Sequence, residues 1–256
     1  MPELKKWILE RKKNKPICYM GHVIAGYPSF EENEMIIDIL VENGFDIIEI
    51  QMPFSEPSAD GPLFSSANQE ALNSGVTVEK YFRFAEKITK KHAIPFIFMG
   101  YFNIPFQMGA EKFSHLMKKN GLKGAIIPDL PIEHAQDYLN QFKENQLSFI
   151  PVISEVTSEE RIKLISSKTD SLIYLTARKG VTGETTQFTD SFQDYLNKCR
   201  QIHSGPTGVG FGISDKKQIE YLIHKTDVAI IGSAILKNWL SGKEESLKKF
   251  LINLKP

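Results

Sequence analysis

Cysteine is nearly absent from this chain: Cys18 and Cys199 are the only two in 256 residues, and neither stands in a CxxC or CxxH spacing. A disulfide scaffold and a zinc finger are thereby excluded, and the usage suits a reducing compartment. Excess charge is absent too, with 31 Lys+Arg against 31 Asp+Glu, so there is no basic field to draw in nucleic acid or an anionic membrane. The six histidines are scattered without metal-ligand spacing, and neither an HExxH nor a GxSxG motif occurs. No apolar run spans a bilayer. The longest uncharged stretch, residues 93–110, is interrupted by Pro95, Gly100, Asn103, Pro105 and Gln107 and reads as a buried strand with its following loop. Residues 1–15 are Lys-rich and amphipathic, without the apolar core of a secretory signal. The expectation is a soluble, cytoplasmic protein.

What is present is a core. Hydrophobic residues make up 41% of the chain, enough to exclude disorder. Short apolar runs at 17–25, 46–52, 94–101, 124–130, 148–154, 171–177, 207–213 and 228–235 read as strands. Their near-continuous apolarity implies cover on both faces, as in a parallel sheet under helices. The segments between them carry helical spacing: Ser29 with Glu32, and Thr157 with Glu160, read as capping boxes. Ser214 reads as the N-cap of a helix over 215–224, and Gly44 and Gly121 as helix ends. Leu4, Trp7 and Ile8 suggest an extra helix before the first strand, and the long gap after the second strand an inserted helix. Eight strand–helix units in a chain of this length predict an α/β fold, a (β/α)8 TIM barrel. The first strand ends Ala25-Gly26-Tyr27-Pro28, which is no dinucleotide-binding fingerprint. No linker divides the chain, so residues 1–256 are expected to form a single domain. Residues 178–190 read as a polar lid.

Barrels do their chemistry at the carboxyl ends of the strands. Along 46–52, Ile47, Glu49 and Gln51 share one face, while Ile48, Ile50 and Met52 form a wholly apolar one suited to helices. Glu49 therefore points into the barrel mouth, where burial favours the protonated acid; the alternative is an interior Glu paired with a Lys or Arg. In the proline-stiffened loop that follows, Asp60 is either aimed back over the mouth or a turn residue capping the next helix. The two carboxylates would also suit glycoside hydrolysis, but the glycines of Gly208-Val209-Gly210-Phe211-Gly212-Ile213-Ser214 and Gly232-Ser233-Ala234, closing the seventh and eighth strands, suit a phosphate better. Arg178-Lys179-Gly180-Val181-Thr182-Gly183 adds a cationic lid or a solvated loop. His22 lies on the first strand, as a mouth residue or a core histidine.

In that order and at those spacings, Glu49, the loop PFSEPSADGP, Pro128-Asp129-Leu130-Pro131, RKGVTG, GFGIS and IIGSAI resemble the tryptophan synthase alpha chain family over about residues 17–240. The resemblance implies retro-aldol cleavage of indole-3-glycerol phosphate to indole and glyceraldehyde 3-phosphate, in the last stage of tryptophan biosynthesis, with no metal and no cofactor. By it, Glu49 is the acid/base at indole C3 and Asp60 the carboxylate near the ring nitrogen. His22, Tyr101, Tyr174 and Thr182 fall at substrate positions, Thr182 closing the lid onto the aspartate. Gly183, Phe211, Gly212, Gly232 and Ser233 fall at the phosphate cradle. The partner it implies is a pyridoxal-phosphate-bearing beta chain in an α2β2 heterotetramer, touching residues 53–57 and 103–108. The chain departs from the family pattern at His22 (usually an aromatic), Ile24 (threonine), Tyr27 (aspartate), Gln51 (glycine) and Ala177 (serine), and at Glu56 and Ser58 in the loop. Two alternatives accompany the lyase: a non-catalytic activator of the beta chain, and a lyase that never pairs.

Overall fold

The computed structural model describes residues 1–177, 188–210 and 212–256. From the N-terminus come α1 (Glu3–Arg11), β1 (Cys18–Ile24), α2 (Phe30–Glu42), β2 (Ile47–Gln51), α3 (Pro62–Asn73), α4 (Val78–Lys91) and β3 (Phe96–Met99). Next are α5 (Asn103–Met108), α6 (Ala110–Lys119), β4 (Gly124–Ile126), a 3-10 turn (Ile132–His134), α7 (Gln136–Glu144), β5 (Ser148–Phe149) and β6 (Val152–Ile153). The rest comprises α8 (Glu159–Lys168), β7 (Ile173–Thr176), α9 (Asp190–Ile202), β8 (Thr207–Gly210), α10 (Lys216–Leu222), β9 (Val228–Ile231) and α11 (Ser233–Leu254), the last broken at Gly242–Lys243. The extra first helix is present, and the gap after β2 holds α3 and α4. The uncharged stretch 93–110 contains β3 and, in place of a plain loop, α5.

All neighbouring strands are parallel, in the order β5-β4-β3-β2-β1-β9-β8-β7-β6. The two outer strands are pieces of one run, 148–153, so the sheet closes on itself as a TIM barrel. Ile150 N–H donates to Ala125 O on one side, and Pro151 O accepts from Tyr174 N–H on the other, each at 2.9 Å. The fifth strand expected over 148–154 is thus interrupted. Pro151 has no N–H where the alternation of a strand would turn a donor toward β7.

The alternation read from 46–52 is realised. Ile47 lies inside the barrel with Met20, Ile97, Ile126, Ile150, Leu172 and Val228, whereas Ile48, Ile50 and Met52 pack outward among the helices. Leu4 and Ile8 of α1, both 0% exposed, join the inner cluster. Around them Trp7 Nε1 donates to Asp46 O, while Lys5, Lys12 and Lys15 pair with Asp170, Asp227 and Asp46, all just ahead of strands. Helix α1 therefore seals the amino-terminal end of the barrel and leaves the opposite end as the open mouth. Burial of side chains this size stabilises by about 1.5–3 kcal/mol each.

Three helix starts differ from expectation. Ser29 caps α2 by accepting from Glu32 N–H, but the Glu32 carboxylate turns to Trp239 Nε1 and Lys243 Nζ instead of back to the cap. Ser158, not Thr157, caps α8; Thr157 Oγ1 accepts from Ser154 N–H. Asp215, not Ser214, caps α10 in a reciprocal box with Gln218. In each of the last two cases adjacent residues carry competent oxygens, and the one with extended backbone at the helix boundary takes the cap. Gly44 and Gly121 end α2 and α6 with φ of 82° and 78°, as their left-handed turns require. Truncating the barrel seal by Ile8→Ala is expected to lower unfolding free energy by about 2–5 kcal/mol, read from urea denaturation.

Candidate active site

At the open mouth lies a pocket whose empty space, open solvent included, is about 590 Å³. Side chains from successive strand ends line it: His22 of β1, Glu49 of β2, Met99 of β3, Val152 of β6, Tyr174 of β7 and Ile230 of β9. Ile126, Pro128, Ala59, Asp60, Phe64, Gly212, Gly232 and Ser233 complete the wall. Hydrocarbon dominates this lining, so charges within it are poorly screened.

Glu49 is 3% exposed, and its partner is neither a lysine nor an arginine. His22, its register neighbour on β1, places Nδ1 3.0 Å from Glu49 Oε1. Glu49 Oε2 is buried without a hydrogen-bond partner among the described residues. The other imidazole nitrogen, His22 Nε2, is 2.8 Å from Gln51 Oε1, and Gln51 Nε2 donates to Asp60 Oδ2 at 2.7 Å. One chain of hydrogen bonds therefore runs Glu49–His22–Gln51–Asp60. Burial alone would lower the His22 pKa, but the charge and hydrogen bond of Glu49, with smaller help from Asp60 and Gln51, hold it above the usual imidazole value. Burial pushes the Asp60 carboxyl above its ordinary range against the hydrogen bond from Gln51 and the attraction of His22, with the Glu49 charge adding to the rise. Burial likewise raises the Tyr174 phenol well above its normal value, the two carboxylates adding to it.

Asp60 does not cap α3, whose N-cap is Gly61; the loop turns its side chain inward. Helix α3 supplies two supports. Phe64 stacks on the His22 ring at a centroid distance of 4.8 Å, and Asn68, 0% exposed, lies beside Gln51 and Asp60. On the far rim, α11 begins at Ser233 behind its N-cap Gly232, which has no side chain to cap the first turn, so the helix start suits an anion. A methyl at Gly232 would lie 3.1 Å from the Phe64 ring, and one at Gly210 only 2.0 Å from the Tyr174 hydroxyl. Glycine at these strand ends lets aromatic side chains and backbone approach closely.

The structure thus gathers His22, Glu49, Asp60, Tyr174, Gly212, Gly232 and Ser233 around one cavity. Tyr101 stands just outside its lining: the hydroxyl accepts from Ala59 N–H and the ring stacks on Phe54 at 4.8 Å, so it braces the Asp60 loop. Thr182, Gly183 and Phe211 lie outside the described residues, as do Arg178, Lys179 and most of the expected lid. Sequence reasoning missed Phe64 and Asn68. A signal existed: Phe64, Ala67, Asn68 and Ala71 form one buried face of α3, on which Asn68 is the polar exception. Gln51 was noticed, but as a neighbour of Glu49; it bonds His22 and Asp60 instead.

A closed parallel barrel with two buried carboxylates at the mouth and a helix start across from them has the architecture of a barrel enzyme. Comparison with known proteins makes this specific. The family model described as tryptophan synthase alpha chain matches residues 8–255, and the chain belongs to that family. It is 43% identical to the tryptophan synthase alpha chain of Desulforapulum autotrophicum over 98% of this chain and 99% of that one. Among solved structures, tryptophan synthase of Mycobacterium tuberculosis superposes with a TM-score of 0.91 at 26% identity, covering 99% of this chain and 96% of the other. The tryptophan synthase α2β2 complex of the hyperthermophile Pyrococcus furiosus gives 0.85 at 26% identity, covering 93% and 97%. Members of the family cleave indole-3-glycerol phosphate in tryptophan biosynthesis.

Because the Tyr174 phenol fills the space a side chain at Gly210 would need, Gly210→Ala is expected to displace that ring and destabilise the protein by about 1–3 kcal/mol. Near-ultraviolet circular dichroism and urea denaturation would read both effects.

Proposed function

We propose that Glu49 and Asp60 perform the cleavage in this cavity, Glu49 as acid and base and Asp60 as the partner of the indole nitrogen. As a member of its family the chain is a lyase acting on indole-3-glycerol phosphate, without a cofactor of its own. Glu49 gives a proton to C3 of the indole, turning the ring into a cation that can accept an electron pair. The bond from C3 to the glycerol carbon then breaks, its electrons restore the aromatic ring, and the carbinol becomes an aldehyde as its hydroxyl proton passes to Glu49. Asp60, beside the ring nitrogen, opposes the positive charge that builds there. Protons balance: one leaves Glu49 and one returns.

The observation that carries this reading is Glu49 Oε2, buried in the cavity wall with no hydrogen-bond partner among the described residues. The apolar wall of Met99, Ile126, Val152, Ile230 and Phe64 suits a flat heteroaromatic ring. Gly212 after β8, with Gly232 and Ser233 at the start of α11, suits the phosphate; Gly183 and Phe211 are cradle positions by the family resemblance only. His22 and Tyr174 border the ring, and Tyr101 holds the loop behind Asp60; the role of Thr182 is the one the family resemblance implies.

The same reading gives the chain a beta partner in an α2β2 assembly, with pyridoxal phosphate on the beta chain. Residues 53–57 and α5 make the docking face, where Phe106 stands 67% exposed. It also takes residues 1–256 as one domain working in the cytoplasm. No helix of the described residues is long and apolar enough to cross a membrane.

The test is indole release from indole-3-glycerol phosphate, with and without beta chain. Glu49→Gln is expected to lower kcat by about 10²–10⁴, and Asp60→Asn by about 10²–10³. Turnover by Glu49→Gln at the unmutated rate would sink the assignment.

A further inference from the structure

The hydrogen bonds behind the two carboxylates determine which nitrogen of His22 carries a fixed proton. Asn68 Nδ2 donates to Phe64 O at 2.8 Å, and Asn68 Oδ1 accepts from Phe54 N–H at 3.1 Å. Backbone groups have unambiguous roles, so the orientation of this amide is settled. Gln51 Nε2 lies 3.3 Å from Asn68 Oδ1 and 2.7 Å from Asp60 Oδ2 and must be the donor to both. Gln51 therefore turns its oxygen to His22, 2.8 Å away, and His22 Nε2 must hold a hydrogen. Only Nδ1 is left to titrate, and it faces Glu49 Oε1 at 3.0 Å.

We propose that His22 is a positioning residue of the reaction: its Nδ1 shares one proton with Glu49 Oε1, while Asn68 and Gln51 lock the ring in the tautomer that makes this sharing possible. This rests on the cleavage assigned above. At rest the proton is held between the imidazole and the carboxyl. When it moves to Glu49, the carboxyl is the acid that protonates C3, and the substrate hydroxyl returns one proton to the pair as the carbon–carbon bond breaks. No co-reactant is needed, and the pair ends a turnover with the number of protons it began with. By occupying Oε1, His22 also fixes the carboxyl rotation and leaves Oε2 to the substrate.

Among the described residues, the titratable groups facing the ring are Glu49 from β2, Asp60 from the loop before α3, Tyr174 across the cavity and Tyr27 from the loop after β1; α3 presents the uncharged Phe64 and Asn68, and the start of α11 presents Gly232. A proton with two seats leaves at a higher pH than one confined to either. In His22→Phe the ring on Phe64 is kept while the second seat is lost. The alkaline limb of kcat is expected to move to lower pH, because the proton then has one seat where it had two, with KM changed much less than kcat. A profile that superimposes on the unmutated one, or moves to higher pH, overturns the proposal.

A second measurement needs no turnover. In ¹⁵N-histidine-labelled protein without substrate, the resonances missing from His22→Phe are expected to show Nε2 protonated across the pH range and Nδ1 alone titrating. Gln51→Met should release the ring into exchange between its tautomers. A ring protonated at Nδ1 with Nε2 as acceptor overturns the proposal even if the fold is intact. Absence of indole release by the unmutated protein would instead overturn the cleavage assignment, and the tautomer would still be decided by the resonances.

Discussion

A carboxylate deprived of water has to be answered by other groups, and Glu49 sits where water is scarce. Ionised carboxyls in hydrocarbon cost several kcal/mol unless hydrogen bonds or an opposite charge compensate. The barrel supplies that compensation through His22 on the adjoining strand, and each link behind the imidazole requires another: Gln51 for His22, Asp60 and Asn68 for Gln51, and the backbone around Phe54 and Phe64 for Asn68. The chain of bonds ends on main-chain groups, which cannot turn away. Glu49 Oε2 stands outside this arrangement, with no hydrogen-bond partner among the described residues.

His22 and Gln51, two positions where the resemblance led one to expect an aromatic and a glycine, are joined in the structure by one hydrogen bond. Each supplies what the other lacks: the imidazole needs an acceptor at Nε2, and the amide oxygen needs a donor. Either alone would bury an unsatisfied polar group, at about 1–3 kcal/mol. Their coupling argues for a reshaped way of holding the acid rather than an eroded site.

Much of the architecture was legible because it depends on local periodicity. The two-residue alternation in 46–52 separates inside from outside, and by itself it places Glu49 in the mouth. Helix starts were legible only to within one residue, since Thr157 and Ser158, or Ser214 and Asp215, offer equivalent oxygens and backbone conformation chooses between them. The break in the fifth strand was written in Pro151 but depends on which neighbour its missing donor would have faced. The polar chain was not legible. It joins residues on β1, β2, the following loop and α3, and no spacing rule brings them together; the nearest hint was one asparagine on an otherwise apolar helical face. Family resemblance singled out individual site positions, but the bonds joining them appear only in three dimensions.

The helix sealing the barrel floor has a consequence for how the chain assembles. It is translated ahead of every strand, yet its anchors, Lys5 to Asp170 and Lys12 to Asp227, reach partners that emerge far later. A segment of nine residues gains little helical stability in isolation. So this helix, made before the strands it covers, is among the last elements to find a permanent seat, which it can take only once the ring has formed.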